Sequence, residues 1–250
     1  MANRNKALEL DPDLADRHQL NALTAFLTEW NWDKGEKEFL KALGTNPNDA
    51  TSRALYGQLL CILQRPGEAL TQGQLAIELD PNNPLVQVWY SAILLGLGDC
   101  ETALIYGGKL VATNPGHLLG NSTIQGAAFP CKDYQKVFQA TKNIIPLEEE
   151  AIKEIEAIFD KQGFVAAYEE ITNQMEVVAQ NGLFGPLDMA VWYIYADRPD
   201  KAMDWFEKGF EIHDPVMPYI ATGMFSLDTL YENPRFINIL EKMDLPPPVN

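Results

Sequence analysis

Three histidines, three cysteines and one closely spaced acid pair are the residues of this chain with side chains suited to chemistry. His18, His117 and His213 stand far apart, each without a second histidine or a cysteine at metal-ligand spacing. Cys61, Cys100 and Cys131 are odd in number and form no C-x2-C pair, so they are expected to be buried packing thiols rather than a disulfide or a metal site. Asp228 and Glu232 have the spacing of an acid–base pair on one helix face, which is equally the spacing of two solvated carboxylates. No phosphate-binding, dinucleotide, zinc-protease or nucleophile-elbow motif occurs. The expectation is a non-enzyme with no catalytic residue, no cofactor and no metal.

Binding is the class that remains. Among 250 residues the acids outnumber the bases 35 to 19, a net charge of -16, and phosphate contacts need clustered Lys and Arg, so direct nucleic-acid binding is not expected. Between Glu148 and Glu176 nine carboxylates face two lysines, which suits either a solvated helix face or a docking surface for a basic partner. No apolar run approaches the ~18 residues of a membrane span. Leu85 to Leu97 comes nearest and is interrupted by Gln87, Ser91 and Gly96. With a polar start that is no signal peptide, the expected location is cytoplasmic.

The elements that must position any binding face are legible from the prolines. Pro12, Pro47, Pro81 and Pro115 fall 35, 34 and 34 residues apart. Between the middle two, Arg53-x2-Tyr56-Gly57-x2-Leu60 is followed by Ala69-x3-Gly73-x2-Ala76-x4-Pro81. Small residues let two antiparallel helices approach, and the proline ends the second one. This unit resembles the tetratricopeptide repeat. The resemblance implies an all-α, right-handed superhelix, an α-solenoid of about six antiparallel helix pairs with a C-terminal capping helix.

One solenoid domain over 1–250 is expected: the tail of a truncated repeat at 1–12, clear repeats at 13–47, 48–81 and 82–115, degenerate repeats over 116–181, a repeat at 182–215 and the cap at 216–250. The first repeat carries one extra residue, expected in the turn at Glu29-Trp30-Asn31-Trp32-Asp33, with both tryptophans wedged between neighbouring helices. Gly120, Gly126 and Pro130 make 116–146 either a regular repeat or a kink. The start of the chain reads as a cut through a repeat or as an atypical cap, and a cut would leave Ala7, Leu8 and Leu10 open for a dimer contact. The tail from Asn233-Pro234-Arg235-Phe236 to Met243-Asp244-Leu245-Pro246, with Leu10-Asp11-Pro12 and Glu29-Trp30-Asn31-Trp32, resembles repeat regions attached to bacterial winged-helix transcription regulators, class III nucleotide cyclases and serine/threonine kinases.

That resemblance implies an interaction scaffold, regulatory in a larger bacterial signalling or transcription-regulating protein, that holds a protein or peptide partner on the concave face lined by first helices. The carboxylate clamp of chaperone-binding members is not matched, because Gln19, Ala54, Val88 and Ser122 stand in one row of its positions and Leu23, Gln58, Ala92 and Gly126 in the next. The expected groove is apolar and small: Phe26, Ala54, Gln58, Ile62, Leu85, Val88, Ala92 and Leu95. Either an apolar peptide or partner helix lies there, or these residues are ordinary core. The alternative function is a sensor that binds a small apolar molecule in the same groove.

Overall fold

Helix starts are written in the residues just ahead of them. Asn31, Asp49, Asn83, Asp99, Asp133 and Asn233 each accept a backbone N–H of the following first turn through a side-chain oxygen, which satisfies a donor that the helix leaves unpaired. Pro66, Pro84, Pro186, Pro199 and Pro234 sit in the first helical turn, where a missing N–H costs nothing. Helix ends are equally local. Asn46, Asp80 and Asn114 precede the periodic prolines and take ψ angles of 89°, 77° and 97°, because the proline ring excludes the α conformation from its predecessor.

The structure is a computed structural model and describes residues 15–179 and 184–247. Thirteen α-helices and no strand occur among the described residues. They are α1 (Ala15–Leu23), α2 (Trp32–Thr45), α3 (Ala50–Ile62), α4 (Pro66–Leu79), α5 (Pro84–Gly96), α6 (Cys100–Thr113), α7 (Leu118–Ala128), α8 (Tyr134–Lys142), α9 (Glu149–Gln162), α10 (Phe164–Ala179), α11 (Pro186–Tyr195), α12 (Pro199–Glu211) and α13 (Pro234–Lys242). Consecutive helices pack as hairpins, and first helices stack on first helices, α3 on α5 and α5 on α7. The chain is an all-helical solenoid. Ala7 to Pro12, with the dimer contact expected there, and the turn at Asn181-Gly182 lie outside the described residues.

Close approach within a hairpin is visible at Gly57. A Cβ there would lie 2.6 Å from Ile93 Cδ1 and 3.2 Å from the carbonyl oxygen of Ala69. The extra residue of the first repeat is absorbed one turn earlier than its sequence suggests, in a π-helical turn at Thr24–Thr28 where Glu29 N–H reaches back to Thr24 O at 3.1 Å. Only Cys61 fits the expectation of buried thiols. Cys100 is partly exposed, and Cys131 is exposed because it sits in the loop between α7 and α8 rather than on an inward helix face.

The two tryptophans of the first turn do not wedge between neighbours. Trp30 stacks on His213 with ring centroids 4.0 Å apart and planes 7° from parallel. Trp32 is buried, and its indole N–H donates to the carbonyl oxygen of Met243 at 2.9 Å. Both tie the first helix pair to the last elements of the chain. After α12 the backbone makes three 3-10 turns, Met217–Ala221, Gly223–Phe225 and Asp228–Leu230, before α13 packs on α12 through Phe206 and Phe236.

Candidate functional site

The residues expected to form the groove stand on first helices: Phe26 in the π turn that follows α1, Ala54, Gln58 and Ile62 on α3, and Leu85, Val88, Ala92 and Leu95 on α5. Phe26, Ala54, Ile62, Val88, Ala92 and Leu95 are all buried there. Gln58, the single polar member of the set, is 2 % exposed and donates its side-chain amide to Trp89 O at 2.6 Å, so it is satisfied between two first helices. Leu85 differs, standing at the first turn of α5 with 52 % of its surface exposed.

What covers this face is the chain itself. Met217–Ala221 touches the π turn and α3, and Gly223–Phe225 continues across α5 and α7. Met217, Tyr219, Ile220 and Ala221 are buried. The Tyr219 ring lies parallel to that of Trp89, 8° between planes and 6.4 Å between centroids. The Gln64 side-chain amide donates to Ala221 O, so the last carbonyl of this 3-10 turn is held by a side chain of the repeats. At Gly126 a Cβ would come within 2.6 Å of Met224 O, so only glycine lets α7 lie against this segment.

Electrostatics agree with a dry face. Burial pushes the Cys61 thiol up to about 12, and burial raises the Tyr219 phenol well above the ordinary tyrosine range. Neither group is set up as a nucleophile or an acid near neutral pH. Farther along the stack, the buried polar groups satisfy one another: Ser91 and Thr123 hydroxyls are 3.2 Å apart, and Gln125 donates to Thr141 Oγ1 at 2.6 Å. Asp228 and Glu232 are both exposed. No group of three or more His, Cys, Asp or Glu is placed to hold a metal ion among the described residues.

The covering segment is the feature that sequence reasoning missed. Val216 to Leu227 is apolar but broken by Pro218 and Gly223, so it has no helical period and reads as a connector. The available signal was a run of large apolar residues with no helix to hide them, in a chain whose first helices are themselves apolar. Packing one on the other removes both apolar surfaces from water.

No protein-family model and no curated protein sequence matches the chain. Solved structures are similar in shape. PilW, described as a widely conserved type IV pilus biogenesis factor, aligns with 19% identity and a TM-score of 0.54 over 70% of this chain and 83% of its own. A tetratricopeptide repeat protein from Parabacteroides merdae aligns over 92% of each chain with 18% identity and a TM-score of 0.47. The P58(IPK) tetratricopeptide domain aligns with 13% identity and a TM-score of 0.27 over 98% of this chain and 82% of its own. The likeness to PilW is one of fold, an all-helical solenoid. No helix among the described residues is long and apolar enough to cross a membrane.

Proposed function

We propose that this chain is a non-catalytic interaction scaffold whose concave face, built on Phe26, Ala54, Gln58, Ile62, Val88, Ala92 and Leu95 with Leu85 at the rim, recognises a short apolar segment of a protein partner. One observation carries the reading: Met217–Phe225 of the chain itself lies across the first helices, with Tyr219 against Trp89 and a backbone carbonyl held by Gln64. A face that seats one such segment has the chemistry to seat another. The regulatory role in a larger bacterial signalling or transcription-regulating protein belongs to the same proposal and rests on the resemblance of the tail.

A tethered segment acts at an effective concentration on the order of 1 mM, and each large side chain it buries contributes ~1.5–3 kcal/mol. A free peptide therefore competes poorly until the segment is weakened. The test uses a labelled peptide copying residues 215–226, titrated into the full chain. Tyr219→Ala is expected to bind it at least about tenfold more tightly than wild type, and adding Val88→Glu in that background should abolish the gain. Equal, weak uptake by wild type and a Tyr219→Ala variant of unchanged helicity would place recognition on another surface.

A further inference from the structure

A second concavity lies outside the groove, on the edge where helix-connecting turns meet. It is a cavity of about 320 Å³, within the ~300–1,000 Å³ range of small-ligand sites. Phe129, Tyr134, Phe164 and Tyr195 build its aromatic side. They interlock, Phe129 stacking on Tyr195 at 4.2 Å and Tyr134 on Phe164 at 4.3 Å between centroids. Phe164 and Tyr195 are buried, whereas Tyr134 is 37 % exposed.

The polar lining is one-signed. Asp197 and Asp228 both face the cavity and are exposed, and no Lys, Arg or His lines it. Arg198, next in sequence to Asp197, is turned to Glu169 at 3.1 Å. Ser226 lines the same cavity, and its hydroxyl is buried with no hydrogen-bond partner among the described residues. A buried hydroxyl without a partner is a cost that a ligand's donor removes.

We infer that this cavity is a binding site for an alkylammonium group, held against the aromatic rings and neutralised by Asp197 and Asp228. Each part selects for that chemistry. Aromatic faces carry negative electrostatic potential and attract a diffuse organic cation. Two carboxylates without a base repel anions and would be desolvated without return by a neutral apolar ligand. A metal ion is disfavoured because aromatic walls cannot replace its oxygen shell. Of the nine carboxylates from Glu148 to Glu176, eight lie on α9 and α10, and α10 begins with Phe164 and Val165, which line the cavity. The site stands independently of the concave face and of the reading proposed for it.

The ammonium can belong to a free amine or to a lysine side chain of a basic protein, and the test separates them. Choline and its neutral isostere 3,3-dimethyl-1-butanol are titrated into the full chain, following the ring resonances of Tyr134 and Tyr195. Choline is expected to bind saturably and at least about tenfold more tightly than the alcohol. The double variant Asp197→Asn, Asp228→Asn is expected to lose that preference while keeping wild-type helicity, since both side chains are exposed. A blocked single-lysine peptide and its norleucine analogue form the second arm. Tighter binding of the lysine peptide than of choline assigns the site to a protein partner, and the reverse assigns it to a free quaternary amine. Equal binding of choline and the alcohol, no saturable shift with either choline or the lysine peptide, or an undiminished preference in the double variant would overturn the assignment.

Discussion

Individual residues in this chain are constrained by contact distance and by charge. Gly57 is the sharpest steric case, because a Cβ would meet both Ile93 and the Ala69 carbonyl. Gly57→Leu is expected to destabilise the array by about 1–3 kcal/mol through overpacking, read as a lower melting temperature; a wild-type melting curve would mean that α3 and α4 pack otherwise. Glu38 is the sharpest electrostatic case. Burial acts to raise its carboxyl, but hydrogen bonds with His18, Lys41 and Asn21 outweigh it and hold the group down at about 2. A folded-state value below the ordinary carboxylate range adds stability above pH ~4.5 and loses it as pH falls through about 2. The advantage in melting temperature of wild type over Glu38→Gln should therefore be present above pH ~4.5 and shrink on acidification below that range. The spacing that makes Gly57 a helix contact was legible in sequence, whereas the Glu38 network was not. Its partners come from α1 and α2, and only the packing of that pair sets their separation.

At the scale of elements, starts and stops were legible because their causes are local. An Asx side chain or a proline acts within three residues, so Asn83-Pro84 and Asp80-Pro81 determine their helix boundaries wherever the chain goes next. The π turn was not legible: the proline spacing shows an extra residue, but either the turn or the helix end can accommodate it. Choosing the helix end turns Trp32 towards Met243. Trp32→Phe keeps most of the apolar surface and removes the donor, leaving the Met243 carbonyl unpaired at a cost of ~1–3 kcal/mol. The expected result is faster amide hydrogen exchange in α13 with little change in α5 and α6. Uniform exchange across the chain would show that the indole N–H does not anchor the last helix.

At the scale of the whole molecule, the chain departs from a simple stack. A solenoid's stability is a sum of neighbouring interfaces, but here Trp30 and Trp32 reach His213 and Met243, and Met217–Phe225 crosses the first helices of several repeats. These contacts couple the ends, so unfolding is expected to be a single cooperative transition. Ile220→Asp places a charge where the side chain is fully buried. It is expected to lower the midpoint and to separate the tyrosine and tryptophan signals from the loss of helicity. Coincident probes in that variant would show that the segment does not couple the repeats. The sequence by itself determined the helices and their antiparallel pairing, since both follow from interactions within one repeat. Only the tertiary structure decided that the chain's own residues 217–225 lie across the first helices and that Asp197, Asp228 and four aromatic rings share one cavity. Those arrangements depend on how the rotation from repeat to repeat accumulates, and no local spacing encodes where residues a hundred positions apart then meet.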